Sequence, residues 1–142
     1  MKTMPNVKTS LLVLICLSAV VTAASALAPD TRVFELRTYH TASPAKLEAL
    51  HARFRDHSNT LLTKHGMTLV GFWVPTDADK GSGTTLVYLV AHKSREAATA
   101  SWAAFRADPE WVRVKAESEK DGVLAEKVES VFMTPTDYSA LK

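Results

Sequence analysis

The sequence predicts an α+β domain whose elements run β-α-β-β-α-β, and three observations predict it. Two stretches read as strands, FELRTYH at 34–40, which alternates side-chain character at strand period, and TTLVYLVAH at 84–92. Apolar residues at steps of three and four follow each of them, and each such stripe opens on a serine, Ser43 or Ser94, of the kind that caps helices. A polar loop, TDADKGSG at 76–83, joins the two middle strands as a hairpin. This order is the split βαβ arrangement called ferredoxin-like, a four-stranded antiparallel sheet with both helices on one face.

The first strand is expected over 32–40. Ser43 then caps a helix with Pro44 at its first position, and Leu47, Leu50, Phe54, His57 and Leu61 form one stripe along it. Gly66 after His65 stops that helix. MTLVGFWV at 67–74 is the second strand, with Trp73 on one face beside Met67, Leu69 and Gly71. In the third strand, 84–92, Tyr88 shares its face with Leu86, Val90 and His92. Ser94 caps the next helix, supported by Glu96, with Ala98, Trp102 and Phe105 on its inner side. Asp108-Pro109 ends that helix and starts another from Glu110 to about Lys120. The last strand is expected over 123–133, and Pro135 ends it.

The N-terminus reads as an address. Lys2 and Lys8 form a basic start, 11–21 is an apolar run, and Ala24-Ser25-Ala26 is a small-x-small cleavage site. The run is shorter than the roughly 20 residues of a spanning helix. The expected organisation is therefore a signal peptide at 1–26, a linker at 27–31, the domain at 32–134 and a tail at 135–142, in a secreted or periplasmic protein with no stable membrane anchor after cleavage. The chain has 17 basic and 15 acidic residues, and loss of Lys2 and Lys8 balances them. No basic run survives, so nucleic acid is not an expected partner. The single cysteine, Cys16, leaves with the leader, which removes disulfide and thiol chemistry from the mature chain.

Five motifs, in order, carry a resemblance: Glu35-Leu36-Arg37-Thr38-Tyr39, His65-Gly66, Gly71-Phe72-Trp73, Asp108-Pro109-Glu110-Trp111, and Pro135-Thr136-Asp137-Tyr138-Ser139. With them the chain resembles the NIPSNAP family over most of its mature length. The resemblance implies a dimeric α+β barrel, in which two ferredoxin-like sheets pack open face to open face in a homodimer. Relatives in that group include small oxygenases, isomerases, haem-degrading proteins and stress-responsive proteins, and the family brings no agreed catalytic motif. Eukaryotic members are associated with mitochondria, whereas this chain carries a bacterial-type export signal.

The candidate site residues are Glu35, Arg37, Tyr39, His57, Trp73 and Tyr88. The expectation is that Phe34 and Leu36 pack on the helices and that Glu35, Arg37 and Tyr39 face the inside of the barrel. Left in water, Glu35 and Arg37 would be an ordinary ion pair worth less than ~1 kcal/mol. Buried, they are committed to each other or to a ligand, and the planar fork of Arg37 suits an anionic or carbonyl-bearing one. His57 stands where a leucine is expected, so it is either a core histidine or a pocket acid, base or ligand. Trp73 and Tyr88 are core or dimer contacts, or walls of the pocket. His40, His65 and His92 lie at element ends, where surface or capping roles are the default. Trp102, Phe105 and Trp111 read as helix packing. No H-E-x-x-H, C-x-x-C, G-x-S-x-G or G-x-G-x-x-G spacing occurs, so no metal, cofactor, nucleophile or phosphate cradle is expected. Three functions remain open: a homodimer binding a small organic molecule between sheet and helices, a cofactor-independent isomerase or monooxygenase using the same pocket, and a protein-interaction module. Whether the chain is an enzyme stays open at this stage.

Overall fold

A computed structural model describes residues 32–142, and the expected leader and linker lie outside them. Four strands, β1 (Val33–His40), β2 (Thr68–Trp73), β3 (Thr85–His92) and β4 (Lys127–Met133), form one antiparallel sheet in the order β2-β3-β1-β4. Between β1 and β2 run α1 (Pro44–Arg53), a π-helical turn (Phe54–Ser58) and α2 (Asn59–Lys64) as one helical rod. Between β3 and β4 run α3 (Arg95–Ala107) and α4 (Pro109–Ser118). This is the predicted ferredoxin-like α+β order.

The caps form as their residues dictate. Ser43 accepts from the Lys46 N–H with Pro44 in the first turn, and Ser94 accepts from the Ala97 N–H. Gly66 at φ 82° ends α2 in the left-handed region, where glycine pays no Cβ penalty. Asp108 caps α4 through the Glu110 N–H and also takes Lys64 Nζ and His65 Nε2 at 2.8 and 2.7 Å. One carboxylate thus ties the end of α2 to the start of α4. The last strand starts at Lys127 rather than 123, because Leu124 is buried in the core on the way into it.

The register corrects the expected facing of β1. Arg37 pairs with Tyr88 and Ser130, Glu35 with Val90 and Phe132, and Tyr39 with Leu86 and Val128. Tyr39 and Tyr88 pack edge-on against Phe54 of the π turn, and Glu35 meets Trp102 of α3. Glu35, Arg37 and Tyr39 therefore face the helices. Phe34 and Leu36 lie on the open face, in rows with Ala91 and Met133 and with Leu89 and Val131. Alternation marks two faces of β1 but does not say which one the helices cover. The Glu35, Arg37 and Tyr39 face of this central strand is polar, and the choice was settled by the neighbouring strand, whose Leu86, Tyr88 and Val90 share that face and pack on the helices.

Trp73 also changes neighbours. A bulge between Leu69 and Gly71 flips the alternation, so Leu69 and Phe72 face the helices while Gly71 and Trp73 face out. Trp73 is 53% exposed and lies flat over Gly71, where an added Cβ would stand 2.6 Å from its ring. Glycine is thus the residue that lets the indole lie on the sheet.

Candidate ligand-binding cleft

The helix-covered face of the sheet carries a buried polar cluster. Glu35, 1% exposed, accepts four hydrogen bonds: from Arg37 Nη1 at 2.7 Å and Ser130 Oγ at 2.6 Å on one oxygen, and from His92 Nε2 at 2.9 Å and Trp102 Nε1 at 2.6 Å on the other. Burial alone would push this carboxyl up. The donors from His92, Ser130, Trp102 and Arg37 outweigh it and hold the carboxyl at about 2, against an ordinary 4.5. The Arg37 guanidinium stacks over Trp102 with its carbon 4.3 Å from the ring centre, and its other nitrogen donates to the Tyr39 hydroxyl at 3.4 Å. The Tyr88 hydroxyl donates to Tyr39 at 3.2 Å. Burial, reinforced by the Tyr39 hydroxyl, raises the Tyr88 phenol well above its ordinary range despite the opposing Arg37 charge, so Tyr88 stays a neutral donor.

Beside this cluster a cleft opens between α3, α4 and the sheet, in two adjoining lobes. The inner lobe, about 270 Å³, lies under the helical rod and is lined by Arg53, Phe54, Ser58, Tyr39 and Tyr88 with Trp111. The outer lobe, about 610 Å³, is bounded by Arg37, Tyr39, Trp102, Trp111, Arg106 and Lys115. Together they are of the size that takes small organic ligands. Arg53 is buried, donates to Ser118 Oγ at 3.2 Å and Glu119 Oε1 at 2.9 Å, and stacks 5.2 Å from the Trp111 ring centre. Glu119 is held below its usual range: burial raises it, and Arg53 and Lys115 outweigh that effect. Glu35 balances Arg37, and Glu119 serves both Arg53 and Lys115. Arg106 makes no ion pair with any described residue, which leaves the mouth of the cleft positive.

Of the six expected site residues, the cleft and its polar floor unite Glu35, Arg37, Tyr39 and Tyr88. Trp73 stands on the opposite face of the sheet. His57 is also excluded, and the π turn is the reason. The Asn59 N–H bonds the Phe54 carbonyl five residues back, so the extra residue advances the helix and puts Ser58, not His57, on the inward stripe. His57 is half-buried over a shallow depression with Asp56 and Arg113 on the outer side. His92, expected at the surface, is 2% exposed and bound to Glu35. Its place was readable from its shared face with Leu86, Tyr88 and Val90. Trp102 and Trp111 pack as expected, but one also donates to Glu35 and both stack on arginines. Arg53 and Ser58 had no signal, because a π turn has no sequence mark that periodicity can read. Among the described residues no group of histidines, cysteines and carboxylates is arranged to hold a metal ion, and no helix is long and apolar enough to cross a membrane.

The order of elements and the single helix-covered face define a ferredoxin-like α+β domain with a basic, aromatic cleft. The chain belongs to the NIPSNAP family, whose model matches residues 34–140. Its fold is shared by a NIPSNAP-family protein of unknown function from Agrobacterium tumefaciens, 23% identical, with a TM-score of 0.69 over 81% of this chain and 97% of that one. A dimeric ferredoxin-like protein from an uncultured marine organism is 14% identical, with a TM-score of 0.56 over 79% and 94%. A monooxygenase from Streptomyces coelicolor, solved in complex with nanaomycin D, is 16% identical, with a TM-score of 0.53 over 81% and 96%. None of the curated proteins matches the chain.

Proposed function

We propose that the chain is an exported homodimer that holds a flat, anionic small molecule in the cleft between sheet and helices. The observation that carries this reading is the pairing of indole faces with cations along one cleft, Arg37 on Trp102 and Arg53 on Trp111, under the unpaired Arg106. Indole faces take a flat ring system, and guanidinium and ammonium groups take its charge. The leader at 1–26 supports export. The open face supports the dimer, because Trp73, Val131 and Met133 are exposed there beside Leu36 and Leu89. A dimer through it is self-complementary, as a two-fold interface requires. The marine protein of similar fold is described as a dimeric ferredoxin-like protein, which is in line with this reading.

Turnover in the same cleft is the second reading. The Tyr39–Tyr88 hydroxyl pair beside Arg37 favours it, since such a pair polarises a bound oxygen without a cofactor, and the S. coelicolor protein of this fold is a monooxygenase. Native mass spectrometry of protein purified from its own host tests the main reading. The expected spectrum is a dimer of leader-trimmed chains with retained organic mass that denaturation releases. A monomer of the untrimmed chain with nothing bound contradicts export, dimer and ligand together.

A further inference from the structure

We infer that the inner lobe receives a carbonyl oxygen at the tip of a flat ring system, gripped by the hydroxyls of Ser58 and Tyr39. This deepens the cleft reading and rests on it. Ser58 lines the inner lobe, is 2% exposed, and its Oγ has no hydrogen-bond partner. A serine inside a helix ordinarily returns its hydroxyl to the carbonyl one turn back. Here the Phe54 carbonyl takes the Asn59 N–H of the π turn, and Ser58 makes no such bond. The turn that excludes His57 from the cleft thus delivers a buried hydroxyl into it with nothing to bind, an arrangement that is costly unless something else fills the need.

Tyr39 supplies the second donor. Its oxygen accepts from Arg37 Nη2 and from the Tyr88 hydroxyl, so both of its bonds use it as acceptor and its own proton is left to donate. Its ring borders both lobes. Two available O–H groups with the Arg53 guanidinium beside them select an acceptor oxygen over a donor group. The remaining walls, Phe54, Phe105 and Trp111, are apolar and suit a ring carrying that oxygen.

The test compares 1-tetralone with tetralin, which share one ring body and differ in a single carbonyl, by tryptophan fluorescence titration of the purified protein. The wild type is expected to prefer 1-tetralone by ~10-fold, the worth of one or two such hydrogen bonds. Ser58→Ala and Tyr39→Phe are each expected to cut that ratio below ~3-fold while leaving tetralin affinity unchanged. Ligand-free Ser58→Ala is expected to melt no lower than wild type, because its hydroxyl has no partner to lose. Equal affinity for the two probes in the wild type, or an unchanged ratio in both variants, overturns the inference and leaves the cleft standing. A sharply lowered melting temperature for Ser58→Ala also overturns it, by giving the serine a structural role. Failure of 1-tetralone, tetralin and 2-naphthoate all to bind overturns the cleft reading with it.

Discussion

Glu35→Ala is expected to destabilise the domain by about 3–5 kcal/mol, the cost of stripping one partner from a buried, hydrogen-bonded charge pair. The residue lies at the centre of the sheet, and its carboxylate is the shared acceptor for Arg37, His92, Trp102 and Ser130. Its removal leaves an imidazole N–H and an indole N–H buried without an acceptor and takes the counter-charge from the half-buried Arg37 guanidinium, which keeps only its bond to Tyr39, and each such loss carries a desolvation cost. For a domain of this size the loss lowers the melting temperature by roughly 10–20 °C. Glu35→Gln keeps the shape but gives up the charge and replaces an acceptor with a donor, so it falls between alanine and wild type. The same group contributes to the acid sensitivity of stability, alongside Asp108 and Glu119, which are also held below their usual range. Its folded value, about 2, lies below the ordinary 4.5, so the stabilisation it gives is fully present above about pH 4.5 and is lost as pH falls toward 2. Thermal melts across that range check both points: the acid loss is expected in wild type and is expected to be smaller in Glu35→Gln by the share this carboxylate contributes. A Glu35→Ala protein that melts with the wild type would show the cluster to be incidental.

Arg53→Ala is expected to cost about 2–4 kcal/mol, read as a shift of the urea midpoint. Arg53 ends α1 where the π turn begins, and it ties that rod to the far end of α4 through Ser118, Glu119 and the face of Trp111, as Asp108 ties it to the start. The cost is smaller than for Glu35 because Lys115 stays within 3.6 Å of the Glu119 carboxylate that the substitution frees. Arg53→Met keeps the apolar stem and most of the packing on Trp111, so it recovers part of the stability while losing the charge. Both variants are expected to weaken 2-naphthoate binding by at least ~10-fold, since a buried cation leaves the lobe that would hold its oxygen. Wild-type affinity in both would place the ligand away from the inner lobe.

The order of elements and the caps were legible in the sequence because each depends on local signals: period-two alternation in β1, the polar loop between β2 and β3, Ser43 and Ser94 before helical stripes, and Gly66 after one. The site was legible only in part, and for two separate reasons. The facing of β1 is set by which side Trp102 and Phe54 approach, a tertiary choice that buried the polar Glu35 and Arg37 face and that alternation alone does not make. The inward place of Ser58 and the outward place of His57 follow from a single extra residue in a π turn, and the bulge at Leu69/Gly71 does the same to Trp73. Each of these one-residue insertions shifts the phase of all that follows, so a regular period predicts the wrong side chain at the site while predicting the right element.

The three tryptophans divide between the two faces of the sheet, and this makes them reporters of the central claim. Trp102 and Trp111 line the cleft, and Trp73 lies on the open face. The most direct measurement is the indole N–H region of a ¹⁵N-labelled sample during titration with 2-naphthoate, the three signals being assigned from single tryptophan-to-phenylalanine variants. A ligand seated between sheet and helices shifts the Trp102 and Trp111 signals together and leaves Trp73 in place. Movement of Trp73 alone, or of none of the three up to saturating 2-naphthoate, contradicts a binding site between the sheet and its helices.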